Sequence, residues 1–126
     1  MSEIKRKALI VDDSKTMREM VNFTLVREGM EVIQAEDGVE ALEMANDNKN
    51  NIDIVITDIN MPNMDGITLI AELRKVSEFK YIPILTLTTE SDASKKEEGK
   101  KAGATGWIVK PFNPEKLIKV INKVLS

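Results

Sequence analysis

A chain of 126 residues fits one domain, long enough to bury a single core and short of two, so one functional site is expected. It contains neither cysteine nor histidine, which excludes disulfides, thiolate nucleophiles, Cys or His metal ligands, Ser-His-Asp triads and any phosphohistidine formed on the chain itself. A formal net charge of −3 without a dense basic stripe argues against nucleic acid as a direct partner.

The segment KRK at residues 5–7 leads into ALIVDD, whose apolar part is too short for a signal peptide or a membrane span. A soluble cytoplasmic domain without membrane association is the expectation. ALIV at 8–11 is the first strand and runs into Asp12 and Asp13. Ser14 then caps a first helix, on which Met17 and Met20 have the spacing of a packed face. EVIQA at 31–35 alternates and reads as an edge strand, and Asp37 with Glu40 makes a capping box for the second helix. After the polar loop DNKNN at 47–51, IDIVIT at 52–57 is a third strand that ends on Asp58. IPILTLT at 82–88 is the fourth, ending on Thr88. The helix expected over 92–101 offers Ala93 but no large apolar residue, and Gly99 in its interior adds to its conformational cost. Gly103 stands at its C-terminal stop, after Lys100 and Lys101. GWIV at 106–109 is the fifth strand and runs into Lys110, and Asn113-Pro114 opens the last helix. Strands nearly continuous in Ile, Leu and Val, alternating with helices, define an α/β domain with a parallel sheet covered on both faces.

Sites in such sheets lie outside the carboxyl ends of the strands. Those ends carry Asp12, Asp13, Asp58, Thr88 and Lys110. Three carboxylates on one rim repel unless a cation neutralises them, and all-oxygen ligation completed by water suits Mg²⁺. A site with Mg²⁺, a lysine and a hydroxyl is built for a phosphoryl group, since each part meets an oxygen as charge shifts in transfer. VDDSK replaces the Gly-rich phosphate loop a nucleotide would need, so the acceptor is expected to be a protein carboxylate. Asp58, the central one, is the candidate nucleophile, giving an aspartyl phosphate.

Taken alone, Asp13 or Asp65 reads as a helix cap, Lys110 as a solvated strand-end lysine and Trp107 as core. These readings fail jointly, because they would require complementary chemistry at four strand ends by accident. A flavodoxin-like FMN carrier would need a Ser/Thr/Gly phosphate loop and aromatics around the ring. An Mg²⁺-dependent phosphatase would want a second acid where Asn60 stands, and an EF-hand reading of 58–66 fails on Pro62 and a missing bidentate Glu.

IVDDSKTMR, ITDINMPNMDG, LTLTTE and AGATGWIVKPF, in this order and spacing, resemble the receiver domains of two-component response regulators, and within that family the single-domain CheY-like chemotaxis regulators. The similarity runs from about Lys7 to Leu125, so residues 1–126 are expected to be one receiver domain with no output domain. The resemblance implies a doubly wound (βα)5, flavodoxin-like fold. Its strand order 2-1-3-4-5 is carried over from the family, for which CheY is a standard example. It makes Asp58 the phosphoacceptor, Asp13 a direct Mg²⁺ ligand, Asp12 an acid acting partly through water, and Asn60 a ligand through its backbone carbonyl. Thr88 becomes the switch hydroxyl, Lys110 the phosphate-binding lysine, Lys110-Pro111 a cis peptide and Trp107 the switch aromatic of the helix 4, strand 5 and helix 5 face. Asn60 and Glu90 are the implied dephosphorylation-control pair. The implied partners are a histidine kinase as donor, an effector such as a flagellar motor switch, and a phosphatase, with the chain itself a monomer. A polar helix 4 with Lys96 and Glu97, Thr89 beside the phosphosite and the large Trp107 depart from the family's usual choices.

Overall fold

The computed structural model describes residues 5–126. Strands β1 (Lys7–Val11), β2 (Glu31–Ala35), β3 (Ile54–Thr57), β4 (Ile84–Thr88) and β5 (Gly106–Val109) alternate with helices α1 (Lys15–Arg27), α2 (Gly38–Asp47), α3 (Gly66–Arg74), α4 (Ala93–Ala102) and α5 (Pro114–Leu125). The strands form one parallel sheet in the order β2-β1-β3-β4-β5. This is the doubly wound (βα)5 architecture expected, with β2 at an edge.

Alternation along each strand divides the core in two. Leu9, Val11, Val55 and Ile84 face α2 and α3, where Ala41, Ala45, Leu69, Ile70, Leu73 and Phe79 complete one cluster. Ala8, Ile10, Ile54, Ile56, Leu85 and Leu87 face α1 and α5, meeting Val21, Leu25, Leu117 and Ile121. The three central strands are buried on both faces, which is why they read as unbroken apolar runs.

The capping residues act as read, with differences of detail. The Ser14, Asp37 and Asn113 side chains accept from the N–H groups of Met17, Glu40 and Lys116. Glu40 returns its carboxylate to the Glu36 N–H rather than to that of Asp37, so the capping box is shifted by one residue. β3 runs from Ile54, and just before it Asp53 meets Lys7 twice, its N–H donating to Lys7 O and its carboxylate accepting from Lys7 N. β4 begins at Ile84, directly after Pro83, which has no N–H to give a ladder. Met20 is 51% exposed on the outer face of α1 beside Phe23 at 65%, so only Met17 joins the core there.

Two features of α4 were not foreseen. Its single buried residue is Gly99, whose place is set by Trp107 of β5. Its C-terminal end is tied down by Arg74, whose guanidinium donates to the carbonyl oxygens of Gly103, Phe79 and Ile82 at 2.6–3.1 Å. Gly103 takes the left-handed conformation at φ 116° that stops the helix, and Gly103 and Ala104 close it with N–H bonds to Gly99 O. The N-terminal half, from Ala93 to Glu98, is exposed throughout. Hydrogen exchange should therefore show the amides of Lys96–Glu98 exchanging well before those of Val21–Leu25 in α1. Equal protection would mean that α4 is held by more than its C-terminal end.

Candidate functional site

The carboxyl rim of β1, β3 and β5 carries the centre of the site. Asp12 and Asp58 are buried, Asp13 is exposed, and oxygens of all three lie within 4.8 Å of one another. Lys110 reaches across from the end of β5, its Nζ 2.8 Å from Asp12 Oδ2 and 3.0 Å from Asp58 Oδ2. The register of the sheet makes this meeting possible: Asp58 N donates to Val11 O, and Lys110 N donates to Thr88 O. The Lys110-Pro111 peptide that follows is cis.

Each acid is also held by backbone or side-chain donors. Asp58 Oδ1 accepts from Ile59 N at 2.6 Å, and Asp12 Oδ1 from Ser14 N at 2.9 Å. Arg18 is buried beneath the β1–α1 turn and donates Nη1 to the Asp12 carbonyl at 2.7 Å. Burial raises the Asp12 carboxyl above its usual value, against the Lys110 and Ser14 hydrogen bonds and the Lys110 charge that lower it, and the Asp58 charge adds to the rise. For Lys110, burial alone would lower the ammonium. The hydrogen bonds and charges of Asp12 and Asp58 outweigh it, and the net shift is upward.

Two local devices place Asp58. Gly66 opens α3 so close to it that any Cβ at this position would strike the Asp58 carbonyl oxygen. Asp65 caps the same helix through Thr68 N, so its cap reading is the correct one. The loop between them turns through Asn63 at φ 67°, a conformation Asn tolerates, and Asn63 Nδ2 donates to Asp37.

The remaining sequence-derived residues ring this centre. Thr88 is fully buried at the end of β4, its hydroxyl accepting from Glu90 N at 3.2 Å rather than meeting the carboxylates. Trp107 stands one layer further out, with Nε1 donating to Glu90 O at 2.9 Å. Asn60 is exposed on the loop that follows Asp58, and Thr89 is exposed directly after Thr88. Arg18, Gly66, Gly99 and Arg74 were missed. Only Gly66 carried a sequence signal, as the glycine closing an Asp- and Asn-rich loop.

The donor set suits a hard cation. Three carboxylates face one ammonium, which leaves net negative charge on oxygen ligands with an exposed member, Asp13, open to water. Asp12, Asp13 and Asp58 are the residues that would hold Mg²⁺.

This arrangement at the carboxyl rim of a (βα)5 sheet is that of a phosphorylation-dependent receiver. Residues 8–122 match the response regulator receiver domain family, and the chain belongs to it. Within the family it is of the CheY type of chemotaxis signalling domain. It is 45% identical to the chemotaxis protein CheY1 of Helicobacter pylori over 121 residues, 95% of this chain and 97% of that one. The solved structure of Vibrio cholerae CheY4 at low pH matches with TM-score 0.91 and 50% identity, covering 97% of this chain and all of that one. A CheY from Borrelia burgdorferi, solved with CheX, BeF3 and Mg, matches with TM-score 0.92 and 31% identity over 98% of this chain and 91% of that one.

The crowding at Gly66 gives a direct test of the site's scaffold. Gly66→Ala should destabilise the protein by about 2 kcal/mol or more and weaken Mg²⁺ binding, because the added methyl must push the Asp58 backbone aside. Urea unfolding and Mg²⁺ titration measure the two effects.

Proposed function

We propose that Asp58 is the phosphoacceptor and that the chain takes its phosphoryl group from the phosphohistidine of a partner histidine kinase. The observation that carries this reading is the Lys110 ammonium bridging Asp12 and Asp58 at the rim, with Asp13 beside them. An Asp58 oxygen attacks the phosphorus, a P–O bond forms as the P–N bond breaks, and the departing imidazole keeps the electron pair and takes up a proton. Lys110 then turns from carboxylate to phosphoryl oxygen, so its positive charge follows the developing negative charge. The Thr88 hydroxyl, which accepts from Glu90 N, donates its own hydrogen to a phosphoryl oxygen. Asp12, Asp13, Asp58 and the Asn60 carbonyl would hold Mg²⁺, which would supply charge neutralisation for the phosphoryl group.

The protein acts as a signalling protein rather than a turnover enzyme, catalysing its own phosphotransfer and the later hydrolysis of its phosphoryl group. Its output is a protein–protein contact made by the face of α4, β5 and α5, with a flagellar motor switch as one effector and a phosphatase as a further partner. The chain works as a cytoplasmic monomer in this reading, and no helix among the described residues is long and apolar enough to cross a membrane. With Mg²⁺ and acetyl phosphate the protein should gain one phosphoryl group, mapped to Asp58 by peptide mass. Label that persists in Asp58→Asn, or forms equally well in chelator, overturns the assignment.

The lifetime of that group depends on whether water can approach the phosphorus in line, opposite Asp58. Asn60, exposed beside the site, and Glu90, at the start of the β4–α4 loop, are both polar and can orient such a water. A short-lived phosphorylated state follows. The variant Asn60→Met with Glu90→Leu should lose phosphate several-fold more slowly after donor removal, and equal decay rates would show that these side chains do not set the clock.

A further inference from the structure

Gly99 stands in the middle of α4 with ordinary helical backbone, since Gly29 and Gly103 are the only glycines with positive φ among the described residues. Its conformational freedom is therefore unused. An interior helical glycine lowers the folding equilibrium constant about fivefold relative to alanine, and the apolar contact α4 itself makes with the core, through the small Ala102, offsets little of that loss. The space around Gly99 supplies the reason: a Cβ there would lie 2.6 Å from Trp107 Cζ3 and 3.2 Å from Cε3. On the opposite edge of the same indole, Nε1 donates to Glu90 O at 2.9 Å. The ring is thus held between the Glu90 carbonyl and the bare backbone of Gly99. It cannot retreat from an added methyl without crowding or losing the Glu90 bond. The Glu90 N–H in turn donates to Thr88 Oγ1.

We propose that Gly99 is the positioning residue for Trp107: its missing side chain forms the seat that keeps the indole on the Glu90 carbonyl, joining α4 to the hydroxyl of Thr88. A continuous physical path then runs from the end of β4 through the Glu90 backbone, from its N–H to its carbonyl, and the indole to the one buried residue of α4. The helix follows the ring, because besides that contact it is held mainly at its C-terminal end, by Arg74 and the packing of Ala102. The proposal rests on the reading of Trp107 as the switch aromatic, and adds the residue that makes an indole usable in that role.

Four proteins test it: wild type, Gly99→Ala, Trp107→Phe and the double variant. Urea unfolding by circular dichroism should give a reversal of sign. Gly99→Ala should lower the midpoint when Trp107 is present. In the Trp107→Phe background, where the phenyl ring has no atom at the Cζ3 position, the same change should raise it, by up to the fivefold gain in folding constant that helix propensity allows. A single Gly99→Ala variant that fails to fold, beside a double variant that folds, supports the seat equally. Trp107 emission provides a readout that a purely structural role would not move: in Gly99→Ala it should shift to longer wavelength and lose the response to Mg²⁺ with beryllofluoride shown by wild type. A midpoint raised equally in both backgrounds, or emission in Gly99→Ala identical to wild type, overturns the seat. A wild-type emission that ignores beryllofluoride at saturation, with the sign reversal intact, instead removes Trp107 as the switch and leaves the seat standing.

Discussion

The ammonium of Lys110, shared between Asp12 and Asp58, is the contact on which the rest of the molecule depends. Its partners are 98 and 52 residues away, so it exists only when β1, β3 and β5 stand parallel with their ends level. Two buried carboxylates side by side would otherwise repel, and each loses hydration on burial. A single lysine offsets both costs in part. Removing one partner of such a cluster is severe because it leaves the others buried and uncompensated. The same imbalance, three acids against one ammonium, gives the rim its affinity for further positive charge and for a group that can exchange partners with Lys110.

The two sides of this rim differ in stiffness. On the side of β1 and α1, Ser14 N holds the Asp12 carboxylate and buried Arg18 holds its carbonyl, while α1 packs Val21 and Leu25 into the core. On the side of β4 and α4, the links nearest the rim are a few hydrogen bonds through Glu90 and one indole edge against a glycine, while the Arg74 clamp holds only the far end of α4. A phosphoryl group arriving at the rim therefore meets a fixed wall on one side and a compliant one on the other. Displacement toward the compliant wall would break fewer contacts.

Much of this was legible in the sequence, for a definite reason. Apolar runs ending abruptly in Asp12, Asp58, Thr88 and Lys110 mark strand ends, and a parallel sheet collects those ends on one rim, so the chemistry could be assembled without coordinates. Caps were legible because Ser14, Asp37 and Asn113 act on neighbours three residues away. What stayed hidden depends on three-dimensional neighbours of no particular type. Arg74 looks like a surface arginine ending a helix, yet its donors reach a carbonyl 29 residues ahead. Gly99 looks like a flaw in a weak helix until Trp107 is seen against it. Met20 follows the spacing of a packed face, but the neighbouring elements cover only the Val21 and Leu25 side of α1. The roles of Asn60, Thr88 and Glu90 rest on chemistry and family resemblance, not on contacts with the carboxylates.

The Arg74 clamp has a mechanical corollary. Because it grips the Gly103 carbonyl, together with the carbonyls at Phe79 and Ile82, the far end of α4 behaves as a fulcrum and its near end as the tip of a lever. Ten residues of helix span about 15 Å. A tilt of roughly 10° about that pivot carries the tip about 2.6 Å for the same rise per residue, while the pivot itself hardly moves. A side-chain shift of ångström size at Trp107, close to the fulcrum, is thus magnified toward Ala93. A partner that gripped the tip would sense more travel than the side-chain shift that produced it.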